Sequence, residues 1–162
     1  MSELFEAVSD LLYREAAFID QRQWSEWLDL FTDDVQYWIP CWDDDGRPTS
    51  DPQSEVSLVY YDNRQGLEDR VARIRSGFSA ASVTMPRTCH QVTNIRIAKR
   101  DGDLLEVASA WTAHSFHGGE TKVFYGFYDH RLRRVDERWR ICAKKIIVVN
   151  DVIPTLLDIF SV

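Results

Sequence analysis

The chain lacks what a disulfide-stapled, membrane-spanning or nucleic-acid-binding protein needs. Its 162 residues include three cysteines, Cys41, Cys89 and Cys142. They are isolated, odd in number and form no CxxC pair. That excludes a disulfide framework and fits three reduced thiols in a cytoplasmic protein. Positive charge is also scarce, with 19 Lys and Arg against 26 Asp and Glu and a net charge of -7. Nucleic acid is excluded as a partner, because phosphate contacts need clustered Lys and Arg. Anionic membrane surfaces repel the chain for the same reason. No apolar run approaches the ~20 residues that span a bilayer. The opening MSELFEAVSD is acidic, without the basic-then-apolar order of a secretory signal.

What is present is a core. Hydrophobic residues make up 44% of the chain, too many for disorder, and the length suits one domain spanning 1–162. Residues 2–19 read as a helix, with Leu4, Val8, Leu11, Leu12, Glu15 and Ile19 at three- and four-residue spacings, all apolar except Glu15. Ser2 is the expected N-cap, and Glu3 and Glu6 suit the positive helix end. A short helix is expected after Asp20, which forms a capping-box pattern with Gln23. Its stripe is Trp24, Trp27, Leu28 and Phe31. A strand follows over 35–39, then a loop over 42–53 that carries Asp43, Asp44 and Asp45. Next come a strand over 56–61 and a helix capped by Asp62 or Asn63 that runs to about Arg75. Its stripe is Leu67, Val71 and Ile74, and Asp69 and Arg73 are spaced to pair.

The second half changes character. Four long strand-like runs cover 88–99, 104–117, 121–134 and 138–149. Turn signals at Asp101-Gly102, Gly118-Gly119 and Asp136-Glu137 separate them. Val123, Phe124, Tyr125, Phe127 and Tyr128 make one strand apolar on both faces, so both faces require cover. Helices take one side. The other side, or its rim, calls for a partner subunit. The element order gives an α+β domain whose strongly curved antiparallel sheet wraps around the N-terminal helices.

Chemistry-bearing patterns are sparse. A Rieske cluster needs two Cys and two His, and a mononuclear iron site needs two His and a carboxylate. His90, His114, His117 and His130 offer neither spacing and read as scattered surface or edge residues. Asp43-Asp44-Asp45-Gly46 lacks the alternating ligands of a calcium loop. There is no GxSxG elbow, and Cys89 and His90 are adjacent on a strand, so they face opposite sides; Cys89 reads as a buried thiol. Acid–base candidates by type are Tyr13, Asp29, Tyr60, His90, His114 and Tyr125. The tryptophans Trp24, Trp27, Trp38, Trp42, Trp111 and Trp139 fit core or interface anchoring better than ligand stacking. The stretch 146–162 is apolar enough to require burial, on its own domain or in an oligomer interface.

The segment DPQSEVSLVYYDNRQGLEDRVARIRSG at 51–77 closely resembles the corresponding part of the small (β) subunit of aromatic-ring-hydroxylating dioxygenases. The resemblance runs end to end. It includes LLYREAAFID at 11–20, EWLDLFTDDVQYWIPCWDDD at 26–45, PRTCHQVTNI at 86–95 and KKIIVVNDVI at 144–153. It is nearest the benzoate and anthranilate type. GGETKVFYGFYDHRL at 118–132 is more like terephthalate- or salicylate-type relatives, and Cys89 stands where a Ser is expected, so the substrate stays open among these. The resemblance implies an NTF2-like, cystatin-related cone with no catalytic, cofactor or metal residue of its own. It also implies an α3β3 hexamer in which β subunits form a trimeric base. The α subunit would hold the Rieske [2Fe-2S] cluster and the mononuclear Fe(II), and a reductase or ferredoxin would pass electrons from NADH. Residues nominated for subunit contacts are Asp43, Asp44, Asp45, Arg64, Arg70, Ile159 and Phe160, with intradomain salt bridges an equal alternative for the two arginines. The competing reading is a stand-alone NTF2-like isomerase or dehydratase, which needs an open cone and a convergent acid–base pair. A ligand-binding module is a third, with an open apolar cone and no such pair.

Overall fold

The computed structural model describes residues 2–42, 46–53, 55, 57–77, 85–150 and 157–162. Helix α1 spans Glu3–Asp20 and starts where the Ser2 hydroxyl accepts the Phe5 N–H at 3.2 Å. Its buried stripe is Val8, Leu11, Leu12, Glu15 and Ile19, so the one carboxylate on the apolar face goes inward with the rest. Helix α2, Trp24–Leu28, is a single turn or so, with Gln23 as N-cap and no side-chain cap bond. The expected capping box does not form. Helix α1 continues through Asp20, whose carboxylate binds Thr88 and His90 instead. Strand β1, Phe31–Pro40, begins four residues before the periodicity predicts. Phe31 thereby leaves the helical stripe for the strand, fully buried edge-on against Trp27 with ring centres 4.8 Å apart.

Strand β2, Ser57–Tyr61, and helix α3, Arg64–Ser76, follow. Asn63 is the cap, accepting the Gly66 N–H at 3.2 Å, and Gly77 ends the helix at a left-handed φ of 71°. Asp69 accepts from Gln65 rather than pairing with Arg73. In the strand expected over 56–61, Val56 lies outside the described residues, Leu58 is exposed and Tyr60 is half-buried.

The four long runs are β3 (Arg87–Asp101), β4 (Leu104–His117), β5 (Glu120–Val135) and β6 (Arg138–Val148). Each connects to the next by a tight hairpin. The six strands make one sheet in the order β2-β1-β6-β5-β4-β3. All pairs are antiparallel except β1–β6, which is parallel. The sheet is therefore mixed, because the N-terminal strand enters beside the last one. Helix α1 packs along β3 and reaches β6, while α3 covers β1 and β2. On β5 the pleat is legible in the burial. Phe124, Tyr128, His130 and Leu132 face the helices, while Val123, Tyr125 and Phe127 are 40%, 46% and 56% exposed on the other face. The chain's own helices leave that second face open.

Candidate functional site: a sealed polar cluster inside the cone

The helix-facing side of the sheet carries three ionisable groups that meet. Glu15 points off the apolar stripe of α1. His130 sits on β5 between Tyr128 and Leu132 in the inward alternation, and Lys144 occupies the matching inward position on β6, directly across from His130. The Lys144 ammonium donates to Glu15 Oε1 at 2.6 Å, and His130 Nε2 lies 3.1 Å from Oε2. Lys144 Nζ also stands 4.3 Å from the Tyr128 ring centre and 5.8 Å from that of Tyr37, within cation–π range. All three charged or titratable side chains are buried.

Burial alone would raise the Glu15 carboxyl. The Lys144 charge and the hydrogen bonds from His130 and Lys144 outweigh it and hold the group at about 2. His130 moves down from its ordinary value, chiefly because burial penalises the imidazolium; Glu15 opposes this and the Lys144 charge adds to it. The imidazole is therefore neutral, with Nε2–H donating to Glu15. The Tyr37 and Tyr128 hydroxyls are pushed well up by burial and by the Glu15 charge, so both stay protonated.

A second carboxylate–imidazole pair lies at the end of α1. Asp20 Oδ1 is 2.6 Å from His90 Nδ1 and accepts the Thr88 hydroxyl at 2.9 Å, while Oδ2 accepts the His90 backbone N–H at 2.8 Å. Burial pushes Asp20 up, but the His90 and Thr88 bonds bring it below the usual range.

Of the six acid–base candidates, only His90 is buried, and it meets the half-buried Asp20. Tyr13, Asp29 and Tyr125 are exposed, and Tyr60 and His114 are half-buried at separate places on the surface. Glu15, His130 and Lys144 were not among the candidates. Glu15 had a signal, as the one acid at an apolar helix position, and His130 and Lys144 each sit in step with the apolar alternation of their strand. His130 is buried on the inner strand β5, which corrects its assignment to the surface or sheet edge, while His90 lies on the edge strand β3 as expected but turns its side chain inward. Cys89 is exposed, which corrects its assignment as a buried thiol; its neighbour His90 takes the inward position and the pleat turns Cys89 out. Among the described residues no three His, Cys, Asp or Glu side chains converge to hold a metal. No helix is long and apolar enough to cross a membrane.

The residues nominated for subunit contacts divide. Asp43, Asp44 and Asp45 lie outside the described residues. Arg64 pairs with Glu68 at 3.0 Å, lies within 4 Å of Asp29 and Asp33, and donates to the Phe31 carbonyl. Arg70 forks onto the buried Asp158 carboxylate, with Nε 2.8 Å from Oδ1 and Nη2 bonded to Oδ2. Of the two sinks open to the apolar tail, Ile159, Phe160 and Val162 take the chain's own core. Among the tryptophans, Trp24, Trp27 and Trp111 are core and Trp42 is exposed.

Residues 14–155 match the family model for the ring hydroxylating beta subunit. The chain is 36% identical, over the full length of both proteins, to the toluate 1,2-dioxygenase subunit beta of Pseudomonas putida. Its fold superposes on the beta subunit of benzoate 1,2-dioxygenase from Burkholderia mallei with a TM-score of 0.80, at 33% identity, covering 96% of this chain and 95% of that one. A putative scytalone dehydratase from Novosphingobium aromaticivorans shares the NTF2-like fold alone, with a TM-score of 0.67 at 16% identity, covering 89% and 83%. The chain belongs to the ring-hydroxylating dioxygenase β-subunit family, the small subunits of oxygenase complexes that act on aromatic rings.

Proposed function

We propose that this chain is a non-catalytic, cytoplasmic small subunit, one domain over 1–162, that supports an α-subunit trimer in an α3β3 hexamer. The observation that carries this reading is the state of the cone. Its convergent acid–base groups, Glu15, His130 and Lys144, are buried and bonded to one another. A stand-alone isomerase or dehydratase needs such groups open to substrate. Here they are spent on holding α1 to the sheet.

The iron chemistry belongs to the α subunit. The three separated cysteines of this chain cannot supply the Cys pair of a Rieske cluster. There, dioxygen adds across the ring with electrons that a reductase or ferredoxin draws from NADH. Relatives named for toluate and benzoate point to an aromatic carboxylate, with benzoate-, anthranilate- and salicylate-like rings in range. The first product is a cis-diol, and with anthranilate the loss of the amino and carboxyl groups gives a catechol. The open sheet row Val123, Tyr125 and Phe127 is the surface offered to neighbouring subunits, and the acidic sequence run Asp43, Asp44 and Asp45 is a further contact candidate by charge alone.

Expression with and without a Rieske large subunit, followed by light scattering and iron analysis, tests the reading. Co-purification as a hexamer, with iron only when the large subunit is present, is the expected result. Phe127→Asp lowers the recovered complex at unchanged folding of the chain. A monomer that never associates, or stoichiometric iron in the chain alone, sinks the reading.

A further inference from the structure

At neutral pH the buried cluster holds one negative and one positive charge. Glu15 compensates Lys144, and neutral His130 contributes only the Nε2–H bond to Glu15. A proton on His130 Nδ1 changes this sum, because two cations then share one carboxylate. Among the described residues, no element packed around the ring brings a second buried anion. Helix α1 presents Glu15 and β6 presents Lys144. Strand β5 presents Tyr128, edge-on at 5.3 Å between ring centres, and carries Asp129 on the opposite, exposed face. Strand β4 brings the uncharged Val107 and Ser109, and β1 brings Tyr37 beside Lys144, its hydroxyl kept protonated by burial.

We infer that this cluster is an acid latch: the Glu15 turn of α1, a helix that otherwise packs along β3, stays bound to β5 and β6 only while His130 is uncharged, and protonation of His130 releases it. The direction of its proton affinity supports the geometry. Burial holds the folded imidazole below its ordinary value of 6.5, so the opened chain takes up the proton first. The stabilisation is complete well above pH 6.5 and is lost as pH falls toward the folded value, so the opening equilibrium grows as pH falls, with about tenfold per unit as the limiting slope for one proton. Glu15 does not interfere there, since its own loss starts only below its ordinary 4.5 and runs toward about 2. The latch stands whether or not the chain is a structural subunit.

Amide hydrogen exchange on the full chain at pH 7.5, 6.5 and 5.5, corrected for intrinsic rates, reads the opening of α1. Between pH 6.5 and 5.5 the opening constant rises several-fold in the wild type, with about fivefold as the ceiling set by an open-chain value of 6.5. In His130→Gln, whose amide still donates to Glu15 and takes up no proton, it rises less than about twofold. If that variant does not fold, imidazole nitrogen shifts of the wild type decide. They show the Nε2–H tautomer at pH 7, and protonation at the same pH as helix release. A flat opening constant, an equal rise in His130→Gln, or protonation of His130 with α1 still protected overturns the latch.

Discussion

Replacing Lys144 with methionine removes one charge from a site that water does not reach. The wild-type pair is close, with Nζ 2.6 Å from Glu15 Oε1, and both side chains are buried. The Glu15 carboxyl is held from 4.5 to about 2, which corresponds to about 3 kcal/mol of preference for the carboxylate. Breaking a buried pair from one side costs about 3–5 kcal/mol, because the remaining charge stays desolvated. For a chain of this size that is on the order of 10 °C in Tm. Urea denaturation monitored by tryptophan fluorescence measures it directly. Two signatures separate this mechanism from a packing defect. The deficit shrinks as pH falls from 7 toward 4, since Glu15 without its cation takes a proton at higher pH and becomes neutral. The double variant Glu15→Gln/Lys144→Met, which keeps an acceptor for His130, recovers at least half of the loss. A single-variant cost below about 1 kcal/mol, or a deficit independent of pH, refutes the argument that the cluster is a compensated buried charge pair.

Two further variants probe other parts of the fold. Asp158→Ala removes the carboxylate that the Arg70 guanidinium forks onto and that also accepts the Ile159 N–H at 2.7 Å. It is expected to cost about 3 kcal/mol and to make the C-terminal residues the first site of limited proteolysis; an unchanged digestion pattern counts against the tail being pinned there. Glu137→Gly relieves a left-handed residue in the β5–β6 turn, where φ is 64°. A gain of about 1 kcal/mol in chemical denaturation is expected, less the few tenths that the exposed Arg134–Glu137 pair contributes. A loss of stability argues that this pair, and not the backbone, governs the turn.

Much of the fold was legible because local chemistry and tertiary demand agreed. Ser2 and Asn63 cap as expected. The three hairpins fall on their turn residues, and Leu67, Val71 and Ile74 face inward as their spacing requires. The failures occur where a distant residue competes for a local one. Asp20 has the spacing of a cap, yet His90 and Thr88, about seventy positions away, claim its carboxylate. Phe31 fits a helical stripe, but the Leu30 carbonyl accepts from Ile141 on β6 and draws the segment into the sheet. The polar cluster was hidden for the same reason. Each of Glu15, His130 and Lys144 stands in step with the apolar pattern of its own element, but only the wrap of the sheet around α1 brings them together. Membership of the family was easier to read than any site, since it rests on the whole chain.

The parallel pairing of β1 with β6 sets the order in which this protein can be made. Strands β3 to β6 are joined by tight hairpins and can assemble as neighbours. Strand β1 has no strand partner but its hairpin mate β2 until β6 exists, and β6 ends at Val148 of a 162-residue chain. On the ribosome, β1 therefore waits for its second strand partner until β6 has been made. A product stopped before β6 lacks one of the two middle strands of the sheet, so β1 and β2 have nothing to join β3–β5 through. Synthesis of β6 thus acts as a quality check, since only copies that contain it close the sheet.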